Sequence, residues 1–409
     1  MLTRRVVITG VGAVTALGKD WPSVRTRMLA GETAVRAMAE WERFEGINTR
    51  LAAPIPKFSL PNHYSRKKTR TMGPVSGMAV YATEQALADA GLTGDPVLGS
   101  GRCGVAYGSS FGSPAPIVAF AELLNRGASP KLNATSYIQL MSHTAAVNIA
   151  LFFGITGRFI PTSSACTSGS QAIGYAAESI RWGKADVMVA GGADELDVTQ
   201  AAVFDTLFAT STRNDTPQMT PRPYDRDRDG LVIGEGAVTL VLEERERALA
   251  RGAAIFAEII GFGCNCDGNH ATQPRAETME IALRLALEDA GLAPPAIGFV
   301  SGHGTATEWG DIEETRATHA VFGPTAPLHS LKSYFGHTLG ACGAIEAWLA
   351  IAMMRDDLFV PTINLAVVDD RCAALDYVMN EPRRIEIDHV MSNNFAFGGI
   401  NTSLIFKRV

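Results

Sequence analysis

The stretch Thr162-Ser163-Ser164-Ala165-Cys166-Thr167-Ser168-Gly169-Ser170 sets one cysteine between a hydroxyl-rich loop and a helical pattern running from Thr167 to about Trp182. A thiol at a helix N-terminus meets the positive end of the helix dipole and unpaired N–H groups, so a lowered pKa and a reactive thiolate are expected there. Taken alone, such a cysteine is more often a small buried hydrophobe, so its chemistry depends on partners. Three later stretches offer them. Ser301-Gly302-His303-Gly304-Thr305-Ala306-Thr307 closes a strand and sets His303 at the kind of sheet edge where α/β sites form, although a lone histidine there is commonly structural. Lys332-Ser333-Tyr334-Phe335-Gly336-His337-Thr338 delivers a second histidine to the start of a helix. The stretch from Asn393 to Asn401 reads as a glycine-rich loop between two strands, with backbone N–H groups free to bind an anion. A nucleophile, two imidazoles, a lysine and an anion-binding loop so far apart in sequence can meet only through the fold.

The elements that must gather them read as α/β. Strand patterns alternate with helical ones, which predicts parallel sheets with helices on their faces. The pattern occurs twice. The strand Arg5–Gly12, the helix ending at Ala86–Leu92 and the strand Cys103–Gly108 are matched by Ala257–Gly263, a helix from Glu277 to Leu292, and Ile297–Ser301. Each half closes on an apolar strand, at Val238–Leu242 and Ser403–Phe406. The Cys166 helix has its counterpart in a helix from Leu339 to Met354. A duplicated unit with a boundary at Arg251-Gly252 follows, giving residues 1–255 and 256–409.

The bulk numbers exclude several classes. The 409 residues are 46% apolar and 19% charged, which suits a packed globular chain, and the net charge of −6 argues against nucleic-acid binding. Met1-Leu2-Thr3-Arg4-Arg5 leads into a strand with no apolar leader, no segment is long enough to span a membrane, and the six scattered cysteines read as reduced thiols, so a cytoplasmic location is expected. Gly10-Val11-Gly12 imitates a dinucleotide fingerprint but has Thr15 at its third glycine and no acidic residue after a second strand. Cys264-Asn265-Cys266 lacks a second ligand pair at zinc spacing, so no metal is expected.

Taken together, the motifs at Cys166, Pro223–Glu235, His303, Lys332–Gly343 and Asn394–Asn401, in that order and spanning nearly the whole chain, resemble the elongating β-ketoacyl-acyl-carrier-protein synthases, the Cys-His-His condensing enzymes of the thiolase fold. The resemblance implies two duplicated α/β halves in a layered αβαβα arrangement. It implies a decarboxylative Claisen condensation of malonyl-carrier with an acyl group held on Cys166, with no cofactor beyond substrates carried on phosphopantetheine. Cys166 and Phe397 would supply oxyanion-hole N–H groups, and His303 and His337 would hold the malonyl thioester carbonyl. Lys332, near His337, and Glu314 would support the site. Thr305 and Thr307 would bond the pantetheine arm, and Asp267 and His270 would lie on a loop that gates entry with Phe395, Ala396 and Phe397.

The resemblance also implies an acidic acyl carrier protein as partner, docking on Arg66, Lys67 and Arg70. Spacing alone leaves docking and a merely solvated helix start equally open. A homodimer is implied, with Thr135–Met141 as a wall of the neighbouring pocket; a heterodimer with a non-catalytic chain-length factor is the alternative. A thiolase-type acyltransferase is the rival within the fold, but thiolases carry a second cysteine near the C-terminus, where this chain has Asn394 and Phe395. The wording around Cys166 and Asn393–Phe397 is most similar to synthases of aryl-polyene pigment pathways. The family usually has glycine where Ala396 stands, which predicts a stiffer or differently shaped gating loop.

Overall fold

The computed structural model describes residues 4–409; Met1–Thr3, read above as leading into the first strand, lie outside the described residues. The main sheet is built, in chain order, from β1 (Val6–Thr15), β2 (Cys103–Gly108), β3 (Phe159–Thr162), β4 (Val187–Asp194), β5 (Gly236–Glu244), β6 (Ala257–Cys266), β7 (Phe299–Ser301), β8 (Pro327–His329), β9 (Asp376–Tyr377), β10 (His389–Ala396) and β11 (Ile400–Lys407). The helices that matter for the site are α1 (Pro74–Asp89), α2 (Ser168–Arg181), α3 (Ala276–Ala290), α4 (Glu308–Phe322) and α5 (Cys342–Asp356).

Across the sheet the strands run β9-β8-β7-β10-β11-β6-β1-β5-β4-β2-β3. Reading outward from the middle, β1-β5-β4-β2-β3 repeats as β6-β11-β10-β7-β8, so each half lays down its first, last and intervening strands in the same order. The halves join where β1 pairs antiparallel with β6, Val6 opposite Ile259. The predicted parallel sheet is therefore only half right. β2, β3 and β4 are mutually parallel, as are β7, β8 and β10, but the closing strands β5 and β11 run antiparallel to both their neighbours. For β11 the reason is local: β10 turns straight into it through a short hairpin at Phe397-Gly398-Gly399, which leaves no crossover to reverse the direction.

Apolar patterning sets five layers. α2 and α5 lie between the half-sheets, where Ala172, Ile173, Ala176 and Ile180 share a core with Ala344, Ile345, Trp348 and Ile351. α1 covers the outer face of one half-sheet, packing Met78 and Leu87 with Val105 and Val189. α3 and α4 cover the other, packing Leu283 and Ala317 with Val300 and Met391. The result is the αβαβα stack.

The glycines that imitated a nucleotide loop do something else. The strand does not turn at Gly12, because β1 continues to Thr15. A Cβ on Gly12 would come within 1.9 Å of the Ala82 carbonyl oxygen on α1, and one on Gly263 of β6 within 2.0 Å of the Ala282 carbonyl oxygen on α3. Both halves thus need a bare backbone where their outer helix crosses the first strand. We propose to divide the chain as 1–255 and 256–409, at the turn between the helix Arg245–Ala250 and β6.

Candidate active site

Cys166 stands on a sharp turn between β3 and α2. Ala165 takes a left-handed φ of +51°, and Ala165–Thr167 form a single 3-10 turn ahead of the helix. The surrounding hydroxyls lace this turn together. Thr162 Oγ1 donates to the Ser168 carbonyl at 2.8 Å, Ser168 Oγ to the Ala165 carbonyl at 2.7 Å and Thr167 Oγ1 to the Ser164 carbonyl at 2.7 Å, while the Ser164 N–H donates to Ser168 Oγ at 2.9 Å. They offset the strain at Ala165 with local bonds.

The expected depressed pKa is not found. Cys166 is buried, and burial pushes its thiol up to about 12, against the pull of the Lys332 ammonium and the N–H groups of Phe397 and Cys166 itself. Desolvation of a full negative charge outweighs the helix end here. The resting group is a thiol, and the N–H groups are in place for charge that arrives with a substrate.

His337 Nε2 lies 2.9 Å from Cys166 Sγ. Its Nδ1 receives the Leu339 N–H at 3.1 Å, and a backbone amide can only donate, so the ring carries its hydrogen on Nε2. His303 is pinned the same way: its Nδ1 meets Lys332 Nζ at 3.0 Å and Asn394 Nδ2 at 3.3 Å, while its Nε2 is buried without a partner. The two rings stand nearly perpendicular with centroids 5.2 Å apart. Burial, then the Lys332 charge, hold both well below the ordinary histidine pKa, so both are neutral. The donor atoms of Cys166, His303 and His337 fall within 4.8 Å of one another, close enough to chelate a cation, yet the pinned tautomers put hydrogen on both Nε2 atoms.

Lys332 lies near enough to His337 to act on its charge, while its ammonium bonds His303 and pairs with Glu346 Oε1 at 2.6 Å. Burial pulls the ammonium's pKa down, but the Glu346 carboxylate, with Cys342 and Cys166 adding to it, leaves it raised and the ammonium charged. Glu346 Oε2 takes Asn394 Nδ2 at 2.6 Å, closing a ring behind His303. Sequence reading passed over Glu346, although its signal was present: a single acid inside the apolar run Ala344-Ile345-Glu346-Ala347-Trp348. Glu346→Ala should cost about 3–5 kcal/mol, because it strands a buried ammonium, and should show as a lower midpoint in denaturant.

Glu314, on α4, lies one step back. Its carboxylate accepts the N–H groups of His303 at 2.5 Å and Gly304 at 2.6 Å, and burial pushes it up to about 8. It shapes the His303 loop. Thr305 and Thr307 share a 2.8 Å hydrogen bond between their hydroxyls and line a cavity of about 580 Å³ that opens on Cys166. Phe395, Ala396, Phe397, Asp267 and His270 line it too.

Most of the stretch read as a loop is strand: Asn393–Ala396 belong to β10 and Ile400–Asn401 to β11, with their backbones in the ladder. Phe397 remains to offer an N–H to Cys166. The left-handed residues are Gly398 (φ +87°) and Gly399 (φ +71°), whereas Ala396 ends a strand and needs no glycine conformation. The hairpin is tied to the Asp267 loop, since Asp267 N–H donates to Gly399 O at 2.7 Å and Gly398 N–H to Ala271 O at 2.8 Å. Phe397 packs on Phe204 of the helix Val198–Asp205, with ring centroids 5.1 Å apart, a contact that sequence gave no hint of.

A second thiol escaped notice as well. Cys342, the first residue of α5, donates to the Cys166 carbonyl at 3.2 Å, and burial pushes it well above the ordinary cysteine range. Arg66, Lys67 and Arg70 are exposed on and just after the short helix Arg66–Thr69, away from the cavity lining, while Lys68 folds back onto the Phe152 carbonyl at 3.0 Å. Thr135–Met141 form the helix Ala134–Leu140 and its end; within one chain they do not line the cavity, and Tyr137 is 59% exposed. Among the described residues, no helix is long and apolar enough to cross a membrane.

Two family profiles match the chain: "Beta-ketoacyl synthase, N-terminal domain" over residues 3–248 and "Beta-ketoacyl synthase, C-terminal domain" over 256–366. The chain is 37% identical, over the full length of both proteins, to a 3-oxoacyl-[acyl-carrier-protein] synthase 2 of Vibrio cholerae. A crystal structure of a beta-ketoacyl synthase from Burkholderia phymatum matches with a TM-score of 0.98 and 60% identity, covering 99% of this chain and all of the other. A structure described as the ishigamide ketosynthase/chain length factor matches both chains in full with a TM-score of 0.90 and 32% identity.

Proposed function

This chain belongs to the beta-ketoacyl synthase family, and we propose, from that premise, that it is a 3-oxoacyl-[acyl-carrier-protein] synthase in which Cys166 carries the acyl chain and His303 and His337 drive decarboxylation. The observation that carries the reading is the pair of pinned imidazoles: each has a fixed donor on Nδ1, and each therefore offers Nε2–H in the cavity beside Cys166.

In the first half-reaction the Cys166 sulfur attacks the carrier thioester. A new C–S bond forms, the pantetheine C–S bond breaks, and the thiol proton leaves with the pantetheine sulfur. N–H groups of Cys166 and Phe397 take the oxyanion. In the second, the malonyl carboxyl leaves as CO2 and its electron pair passes to the thioester oxygen, where the two Nε2–H groups stabilise the enolate. The enolate carbon attacks the acyl carbonyl, the new C–C bond forms, the acyl C–S bond to Cys166 breaks, and the released sulfur regains a proton from solvent water. Thr305 and Thr307 hold the pantetheine arm, and the hairpin at Phe397 and the Asp267–His270 loop open the way in. The Cys342 thiol has no part as a base, because its hydrogen is committed to the Cys166 carbonyl; this disfavours a thiolase-type reaction.

An acyl carrier protein delivers both substrates, and Arg66, Lys67 and Arg70 are its docking cations. Lys67→Glu with Arg70→Glu should raise KM for an acidic carrier by about tenfold and leave a small thioester within about twofold; equal effects on both would contradict docking there. The partner subunit lies against the edge strand β3, where Phe159 is unpaired on one side and Tyr137 and Leu151 are exposed. We take the partner to be a second copy of this chain. The likeness to a ketosynthase/chain length factor favours one further reading, the catalytic subunit of a heterodimer, and retention of Cys166 fixes which subunit this chain would be. All six cysteines are unpaired, which suits a reducing cytoplasm. The acyl group is a fatty or polyene chain, the wording around Cys166 and Asn393–Phe397 being what supports a conjugated or aromatic one, and mass-spectrometric labelling of Cys166 by a panel of acyl-carriers separates the two.

A further inference from the structure

The two halves build the same turn twice. After β3, Ala165 takes a φ of +51°, one 3-10 turn follows over Ala165–Thr167, and α2 begins. In the second half Leu339 takes a φ of +50°, one 3-10 turn follows over Leu339–Ala341, and α5 begins. Matched in this order, Gly340 is the counterpart of Cys166. The strands that meet the turns correspond as well, since β10 and β4 hold the same place in their half-sheets. β10 ends at Ala396, and the next residue, Phe397, presents its N–H to the Cys166 sulfur. β4 ends at Asp194, whose Oδ2 accepts the Gly340 N–H at 2.6 Å. One half keeps its N–H donors for an incoming oxyanion, and the other fills the equivalent place with an acceptor of its own.

Asp194 is completely buried and surrounded by donors. Ser109 Oγ reaches Oδ1 at 2.8 Å, Ser110 Oγ reaches Oδ2 at 2.6 Å, and the Ser110 N–H lies 3.2 and 3.1 Å from the two oxygens. Ser109 Oγ itself accepts the Gly112 N–H at 3.2 Å, so its hydrogen is free for Asp194. Burial raises the Asp194 carboxyl above the ordinary carboxylate range, and the donations from Ser110, Ser109 and Gly340 pull it back.

We propose that the Asp194 carboxyl group occupies the second half's counterpart of the oxyanion pocket as a built-in acceptor, and that by holding Gly340 it fixes the turn on which His337 stands. Asp194 is thus a positioning residue for His337. The linkage is short: Leu339 N–H holds His337 Nδ1, and the next N–H, that of Gly340, is held by Asp194 from the opposite half. The inference rests on the decarboxylase role proposed above for His337.

The test compares Asp194→Asn and Asp194→Ala with the unaltered protein. Asn keeps the volume but turns an N–H donor onto Ser110 or Gly340. CO2 release from malonyl-carrier should fall about 10- to 100-fold with KM nearly unchanged, as for a catalytic group displaced by a fraction of an ångström, while self-acylation stays within about threefold. Ala leaves a hole lined by N–H and O–H donors, and added formate should restore about tenfold of the lost rate. Hydrogen exchange of the His337–Cys342 segment should quicken in both variants, whatever the enzyme's substrate. An Asn variant that decarboxylates within about threefold of the parent would overturn the proposal, and so would a folded Ala variant that formate leaves unmoved. If Ala does not fold, Ser110→Ala, which removes one donor, should still lower CO2 release about threefold and quicken the same exchange; no change in either refutes the inference. A parent protein that releases no CO2 at all instead refutes the proposed function, and the exchange result then stands alone as the test of the clamp.

Discussion

Cys166→Ala should lose the acyl adduct and lower condensation by about a thousandfold or more, because the variant lacks the atom to which the chain is attached. Intact-protein mass spectrometry after incubation with acyl-carrier reads the first effect, and product formation reads the second. An adduct surviving in Cys166→Ala would move the nucleophile elsewhere, and Cys342 would be the thiol to examine, since it lies against the Cys166 backbone. The fold should not suffer: Cys166 contributes one small buried side chain, and the turn that bears it is laced by Thr162, Thr167 and Ser168 rather than by the thiol. Decarboxylation should persist in this variant, because the enolate is stabilised by groups other than the sulfur.

The second large effect separates the histidines from the cysteine. His303→Ala and His337→Ala should each retain self-acylation within about threefold and lose CO2 release by about 100- to 1,000-fold, the usual worth of one preorganised donor on a developing oxyanion. The geometry makes the prediction sharp. A histidine acting as a base on the thiol would need a bare Nε2, but the Leu339 N–H on His337 Nδ1 puts the hydrogen on the nitrogen facing Cys166. Asparagine offers a related N–H, so His337→Asn should fall less far than His337→Ala. CO2 release unchanged in either alanine variant would remove that ring from the decarboxylation step.

What sequence made legible was what a motif can carry. Cys166, His303 and His337 stand out because glycines and hydroxyls around them break the apolar rhythm, and the duplicated order of strand and helix showed that two halves must close on one another. Direction within the sheet was not legible, since an apolar strand looks alike whether its neighbour runs parallel or antiparallel, and only the length of the connection at Phe397–Gly399 decides it. The state of the thiol was misread because a helix N-terminus can be seen in sequence while the dryness around Cys166 cannot. Glu346 and Asp194 were missed for a related reason: each is one acid in an otherwise apolar or glycine-rich run, and its meaning lies in a partner from the other half, Lys332 or Gly340. Phe204 carries no mark in sequence of its contact with Phe397, because the two meet only through the fold.

In the proposed reaction one acyl group on Cys166 is consumed for each malonyl group decarboxylated between His303 and His337. A single-turnover experiment tests it directly: protein fully acylated on Cys166 is mixed with malonyl-carrier labelled in the free carboxyl, and the labelled CO2 and the remaining adduct mass are followed together. Both should change at one rate, with one CO2 released per acyl group lost. Loss of the acyl group without labelled CO2 would mean a non-decarboxylating, thiolase-type transfer and would contradict the proposed reaction.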